Sequence, residues 1–248
     1  MAKQDMEQHI ASAFDRDLEG IQARIMKMGG LVEAAINGAA KSLETRDEEL
    51  AEKIRLGDEA IDDLEETLNE EAARVIAIRA PTAFDLRVIL SVLRISANLE
   101  RIGDLSKNMA KRTGVLVQLQ QIPGSPAALR RMAREVELML KDALDAYIQR
   151  DADLARDVIE RDRDVDQMYN TLFREFLTFM LEDPRNITAC MHLHFIAKNI
   201  ERMGDHVTSI SEQVVFLVTG SKPEEPRQKG DMTSTDPRYS VGADSVED

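Results

Sequence analysis

The fold of this chain is decided by two short stretches of sequence, NLERIGD at residues 98–104 and NIERMGD at residues 199–205. Five of the seven positions are identical, and the second copy begins 101 residues after the first. Such a repeat predicts a duplicated chain in which each half is one structural unit. Each copy keeps a Glu and an Asp four residues apart, which places both carboxylates on one helix face with Cβ atoms about 6 Å apart.

A second acidic pair precedes each copy. The stretch TRDEELAEKIRLGDEAIDDLEETL (45–68) aligns with QRDADLARDVIERDRDVDQMYNTL (149–172), so that Asp58 and Asp62 correspond to Asp162 and Asp166. Asp58 and Asp162 each occupy a position in the helical repeat of apolar residues that is predicted to face the core. Because a buried carboxylate is costly unless it is paired or coordinated, both are expected to have a partner.

Apolar spacings of three and four residues predict an all-α fold of six long helices, arranged as two tandem, duplicated three-helix bundles. A weak point is expected at Gly29-Gly30, and Thr45-x-x-Glu48 is a capping-box pattern for the second helix. Asp151 is the expected cap of the fifth. The six predicted helices span about 6–43, 45–79, 81–119, 126–149, 151–181 and 184–217.

The clearest breaker, QIPGSP at residues 121–126, falls at the midpoint of the chain. It predicts one repeat at residues 8–120 and a second at 125–220. Residues 221–248 are polar, contain several Pro and Gly, and are predicted to form a disordered tail.

Composition excludes several classes of function. A net charge of −14 argues against nucleic acid as a partner, because phosphate backbones need clusters of Lys and Arg. No run approaches the ~18 apolar residues of a membrane span, and no signal peptide is recognised, so a cytoplasmic protein without membrane insertion is expected. The single Cys190 suits a reducing compartment. No P-loop, dinucleotide fingerprint, zinc motif or nucleophile elbow is found, which predicts that the chain is not an enzyme.

The acidic pairs have two possible roles, as a cation-binding site or as part of an ion-pair network. Like charges about 4 Å apart repel, and a multivalent cation would remove that penalty; carboxylates without His or Cys favour Mg, Mn, Ca or Fe. Alternatively, basic residues such as Arg94, Arg101, Lys107 and Arg202 neutralise the carboxylates in an ion-pair network.

The histidines carry a weaker signal. His192 and His194 are two residues apart and should point to different faces of a helix. His206 follows Asp205 and is a candidate extra ligand. The Glu-x-x-His pattern of diiron bundles is absent, since Gly204 stands three residues after Glu201. Glu100 and Glu201 follow stripe residues directly and are expected on a flank, with Gly103 and Gly204 beside them where another group approaches the backbone.

The doubled N-x-E-R-x-G-D motif with its upstream D-x3-D pairs resembles the PhoU family of phosphate-uptake regulators over about residues 8–220. The resemblance implies a cytoplasmic homodimer that carries metal, with multinuclear iron or Mg, Mn, Ca or Zn as candidates. It also implies a negative regulator that relays phosphate sufficiency from the Pst ABC transporter, through its ATPase subunit, to a PhoR-type sensor histidine kinase. The implied metal ligands are Asp58, Asp62, Glu100, Asp104, Asp162, Asp166, Glu201 and Asp205. A metal-storage bundle and a metal-free acidic adaptor are the alternatives.

Overall fold

The computed structural model describes residues 2–221, except the side chains of residues 2–13 and 15. Over that range the chain forms seven α-helices and one 3-10 turn, with no β-strand, which confirms the all-α prediction. The predicted tail lies outside the described residues apart from residue 221. The helices are α1 (Ala2–Thr45), α2 (Glu48–Gly57), α3 (Glu59–Arg79), α4 (Ala83–Leu116), α5 (Ser125–Gln149), α6 (Ala152–Glu182) and α7 (Ile187–Thr219), with the 3-10 turn at Pro184–Asn186.

The second of the six predicted helices is interrupted once. Asp58 separates α2 from α3, and its backbone carbonyl accepts hydrogen bonds from the N–H groups of both Ile61 and Asp62. The equivalent helix of the second repeat, α6, runs without interruption through Asp162. The two repeats therefore differ in backbone structure at their buried aspartate, since the helix is broken at Asp58 and continuous at Asp162.

The helices pack as two bundles of three, in which α2 and α3 together take the place of one helix. In the first, α2 and α3 together lie against α1 and α4; in the second, α5, α6 and α7 pack on one another. The groups are joined through the pairs α1–α5 and α4–α7. The predicted stripes of the two central helices are fully buried, which explains why α4 and α7 sit in the middle. The buried stripe residues include Val92, Ile95, Leu99, Ile102, Met109, Ile196, Ile200, Met203, Val207 and Ile210.

One helix start was predicted wrongly. Thr45 is the last residue of α1, and Arg46 follows it with a positive φ of 55°. Asp47 is the actual N-cap of α2, with its carboxylate accepting from the backbone N–H of Leu50 at 2.9 Å. The prediction for the second repeat is confirmed, because the Asp151 carboxylate caps α6 in the same way.

The pair Gly29-Gly30 does not break α1, which is continuous across both residues. A Cβ on Gly29 would collide with the Leu144 side chain of α5, whereas a Cβ on Gly30 would meet no atom within 4 Å. Gly29 therefore allows the close approach of α1 and α5, one of the two contacts that join the halves.

Candidate functional site

The two copies of the motif lie side by side on α4 and α7. Asn98 Oδ1 is 2.9 Å from His206 Nδ1, and Arg112 donates to His192 Nδ1 at 3.2 Å. Residue numbers rise along one helix as they fall along the other, so the helices are antiparallel. In this register residues 98–104 pass residues 199–205 at the centre of the molecule. Each motif then faces the outer helix of its own half, α3 or α6.

Asp58 is the buried centre of the first repeat's acidic group, with 3% of its surface exposed. Its Oδ2 accepts from the Lys107 ammonium at 2.5 Å, while its Oδ1 is buried without a hydrogen-bond partner. Lys107 Nζ also lies 3.7 Å from Asp104 Oδ1. One lysine of α4 thus connects the carboxylate at the α2–α3 break with the motif aspartate on its own helix.

The remaining acidic side chains of this repeat are electrostatically coupled to that pair. Asp62 is an exposed residue, but partial burial of its carboxylate raises its pKa, and the neighbouring Asp58 carboxylate raises it further. Burial also raises the pKa of Glu100, with Asp104 and Asp62 adding to the effect. The hydrogen bond to Asp58 raises the pKa of Lys107. The structure therefore brings all four predicted carboxylates of the first repeat into one electrostatically coupled group, in which Lys107 acts on Asp58, Asp62 and Asp104 and Arg101 acts on Glu100.

The second repeat's acidic group is more deeply buried. Asp162 and Asp166 are each 1% exposed and Glu201 is 2% exposed, whereas Asp205 is partly exposed. The ammonium of Lys198 lies 2.9 Å from Glu201 Oε2. Sequence reasoning expected both motif glutamates on a flank. The two differ in exposure, because the Glu100 side chain is 21% exposed whereas Glu201 is covered where α6 packs on α7.

The conserved spacing of Gly103 and Gly204 is explained by the same aspartates. A Cβ on Gly103 would lie 3.3 Å from Asp58 Oδ1, and a Cβ on Gly204 would lie 2.6 Å from Asp162 Oδ1. This confirms the expectation that another group approaches the backbone at both glycines. At Gly204 the group is the Asp162 carboxylate, and at Gly103 it is the Ile61 side chain, 3.1 Å away, together with the Asp58 carboxylate.

The alternative role, an ion-pair network between the carboxylates and nearby basic residues, is present in part. Besides Lys107, Arg101 lies 3.4 Å from Glu100 and 3.6 Å from Asp104. Arg94 does not join this network, because its guanidinium donates to the Gln213 side chain of α7. Lys198 was not singled out from the sequence; its position three residues before Glu201 was the available signal.

The histidines occupy separate environments, as expected for His192 and His194. His192 bonds Arg112, whereas the ring of His194 packs against Tyr169 and Phe173 at centroid distances of 5.9 and 5.4 Å. Burial lowers the pKa of His206, whose ring contacts Asn98.

The predicted metal ligands are all carboxylates, which are donors that hard cations prefer, but their positions do not form a metal-binding arrangement. Among the side chains that the structure describes, no three of His, Cys, Asp or Glu converge in a metal-binding arrangement. In the first repeat, the Lys107 ammonium already lies between Asp58 and Asp104, so those residues do not fit a metal as they stand. In the second repeat, three buried carboxylates supply oxygen donors suited to Mg, Mn, Ca or Fe, although the Lys198 ammonium lies 2.9 Å from one of them, Glu201. Metal binding at the eight carboxylates stays a prediction.

Comparison with known proteins identifies the repeat. The family model of the PhoU domain matches residues 25–113 and 129–214. A phosphate-specific transport system accessory protein PhoU homolog of Rhizobium meliloti (strain 1021) is 46% identical over 228 residues, which are 92% of this chain and 96% of that protein. The homolog of Caulobacter vibrioides (strain NA1000 / CB15N) is 40% identical over 229 residues, 92% of this chain and all of that protein.

Solved structures share the fold. The crystal structure of PhoU from Pseudomonas aeruginosa superimposes with a TM-score of 0.81 at 38% identity, covering 84% of this chain and 100% of that one. The phosphate transport system regulatory protein PhoU from Streptococcus pneumoniae gives a TM-score of 0.77 at 28% identity, covering 86% of this chain and 100% of that one. No helix among the described residues is long and apolar enough to span a membrane. With two matching domains and relatives similar over nearly their whole length, the chain belongs to the PhoU family.

Proposed function

We propose that this chain is an accessory protein of a phosphate-specific transport system and acts by binding other proteins rather than by catalysis. The observation that carries the proposal is the 46% identity to an accessory protein homolog over 92% of this chain and 96% of that protein. Similarity over both repeats, including the acidic motifs, supports a shared role better than a likeness of one domain would.

The finer proposal is that the chain relays phosphate sufficiency at the cytoplasmic face, as a homodimer. It receives the signal from the ATPase subunit of the Pst transporter and passes it to a PhoR-type sensor histidine kinase, which keeps uptake and the starvation response low. Such a relay requires the chain to bind one state of its partner more tightly than another, since equal affinity shifts no equilibrium.

A surface suited to such binding lies near the start of α7. Ile187, Met191 and Phe195 follow one another at intervals of four residues and are 46%, 39% and 44% exposed. Val115, near the end of the antiparallel α4, is 42% exposed, and the Arg112 guanidinium stacks on the Phe195 ring 4.5 Å from its centroid. Exposed apolar side chains in a row with a stacked arginine are typical of protein-binding surfaces.

The test of the regulatory role is a deletion strain carrying a phosphate-starvation reporter, grown in phosphate-rich medium. We expect the reporter to be on in the deletion strain and off when the wild-type chain is restored. A variant with Met191→Ser and Phe195→Ser should fail to restore repression and should lose co-purification with the ATPase subunit or the kinase. Leu56→Ser, which changes a side chain 67% exposed on α2, is the matched control. Normal repression in the deletion strain would defeat the proposal.

Metal binding is the second part of the proposal, and the three buried carboxylates of the second repeat are the observation that favours it. Metal analysis of protein purified without chelator separates a metal-binding regulator from a metal-free acidic adaptor. We expect Asp205→Ala to lower the metal content of the purified chain. Unchanged metal content in a folded double variant, Asp104→Ala with Asp205→Ala, would leave only the ion-pair reading.

A further inference from the structure

Lys107 occupies the middle of the first repeat's acidic group. Its ammonium lies 2.5 Å from Asp58 Oδ2 and 3.7 Å from Asp104 Oδ1, and so bridges the break between α2 and α3 to α4. The side chain is anchored at its charged end while 41% of its surface faces solvent. Asp58 is 3% exposed, which makes this a contact between a surface lysine and a core carboxylate.

The equivalent position of the second repeat carries a different residue. The motif offset of 101 residues places Thr208 opposite Lys107. Thr208 is buried, and its hydroxyl donates to the backbone carbonyl of Asp205. The two repeats therefore share the four acidic positions but differ in their cations, since the lysine of the second repeat, Lys198, precedes the motif and contacts Glu201.

We propose that Lys107 is the resident cation of the first repeat and keeps metal ions out of the group formed by Asp58, Asp62, Glu100 and Asp104. The inference rests on the part of the proposed function that makes the acidic pairs cation sites. It departs from the symmetric loading that the duplicated motif predicts.

The reason is geometric and electrostatic. Metal ions bind carboxylate oxygens at about 2.0–2.6 Å, so a metal on Asp58 Oδ2 would need the space that the ammonium fills. An ammonium and a divalent cation beside the same two carboxylates would also repel each other. Loading the first repeat therefore requires Lys107 to leave. The α2–α3 break fits this assignment, because it sets the buried Asp58 within reach of a flexible lysine.

The experiment compares variants in a background whose second repeat is disabled by Asp166→Asn and Glu201→Gln. Manganese(II) is titrated in, and free ion is followed by its electron paramagnetic resonance signal. We expect the background chain to bind no manganese at micromolar concentrations and the further variant Lys107→Thr to bind one ion per chain. Adding Asp58→Asn should abolish that gain. Lys111→Thr, which removes an exposed lysine one turn along α4, is the matched control and should behave like the background.

Three results would overturn the proposal: manganese binding by the background chain, no gain on removing Lys107, or an equal gain in the Lys111 control. Should Lys107→Thr fail to fold by circular dichroism, amine acetylation of the wild-type chain answers the same question by mass spectrometry. Lys107 should react more slowly than Lys111 with and without micromolar manganese; equal reactivity, or a rise at Lys107 on adding manganese, overturns the assignment. Neither readout involves phosphate regulation, and metal analysis of the purified wild-type chain tests separately whether the acidic pairs bind metal at all, so a failure here is distinct from a failure of either part of the proposed function.

Discussion

The contact between each motif glycine and a buried aspartate makes a sharp prediction for the substitution Gly204→Ala. A Cβ at this position would lie 2.6 Å from Asp162 Oδ1 and 3.5 Å from Val165 Cγ1. Asp162 is 1% exposed, so its carboxylate has little room to retreat. The added methyl group must displace either the carboxylate or the helix that carries it.

The magnitude follows from two opposing effects. Replacing a mid-helix glycine with alanine stabilises a helix by about 1 kcal/mol. Overpacking a filled core costs about 1–3 kcal/mol. We therefore expect Gly204→Ala to lower the free energy of unfolding by about 1 kcal/mol. Gly30→Ala is the matched control, because Gly30 is exposed within α1 and its Cβ would meet nothing within 4 Å; it should stabilise the chain by up to about 1 kcal/mol.

Urea unfolding followed by far-UV circular dichroism measures both variants, and the difference between them should be about 2 kcal/mol by the same estimates. Gly103→Ala should fall between them, because its Cβ contacts, at 3.1 Å from Ile61 and 3.3 Å from Asp58, are less severe. If Gly204→Ala proved as stable as Gly30→Ala, the carboxylate could not be packed on the α7 backbone as described.

Further predictions concern single side chains. Asp151→Ala should cost about 1 kcal/mol because the carboxylate caps α6. Asp153→Ala, two residues further on and 93% exposed, should cost much less in the same urea assay. Glu100→Gln should stabilise the chain near pH 7, since the raised pKa of Glu100 means that folding disfavours its ionised form. The gain in stability should vanish below about pH 4, where the carboxyl is protonated in the unfolded chain as well. A gain that does not depend on pH would contradict this. The lowered pKa of His206 means that stability is lost as pH falls below about 6.5, so His206→Gln should flatten the acid side of the stability profile; an unchanged profile would show that protonation there is not linked to folding.

The spacing of apolar residues along the sequence predicted which side of each helix is buried, because that spacing reflects the local geometry of the helix. The stripes of α4 and α7 are buried as expected, and Asp58 and Asp162 lie in the core at the steps assigned to them. The close approach at Gly103 and Gly204 was also predictable, because a repeated mid-helix glycine has a cost that needs a reason.

What the sequence could not predict depends on how the helices pack. The capping-box pattern pointed to Thr45, but the positive φ of Arg46 ends α1 there and leaves Asp47, two residues later, as the cap of α2. Glu100 and Glu201 occupy identical motif positions, yet only Glu201 is covered by its neighbouring helix. Such a difference arises from the angle and separation of α6 and α7, which a single sequence does not specify.

The duplication therefore preserved a pattern of charges without preserving its surroundings. In the first repeat, a broken helix and Lys107 place a cation from the chain itself against a buried aspartate. In the second, α6 is unbroken, the position equivalent to Lys107 is a threonine, and three acidic side chains are buried. The proposed role of Lys107 therefore excludes metal ions from the first group, although that group is the more open of the two to solvent. The two repeats are thus expected to differ in cation binding, although their motifs match residue for residue at the acidic positions.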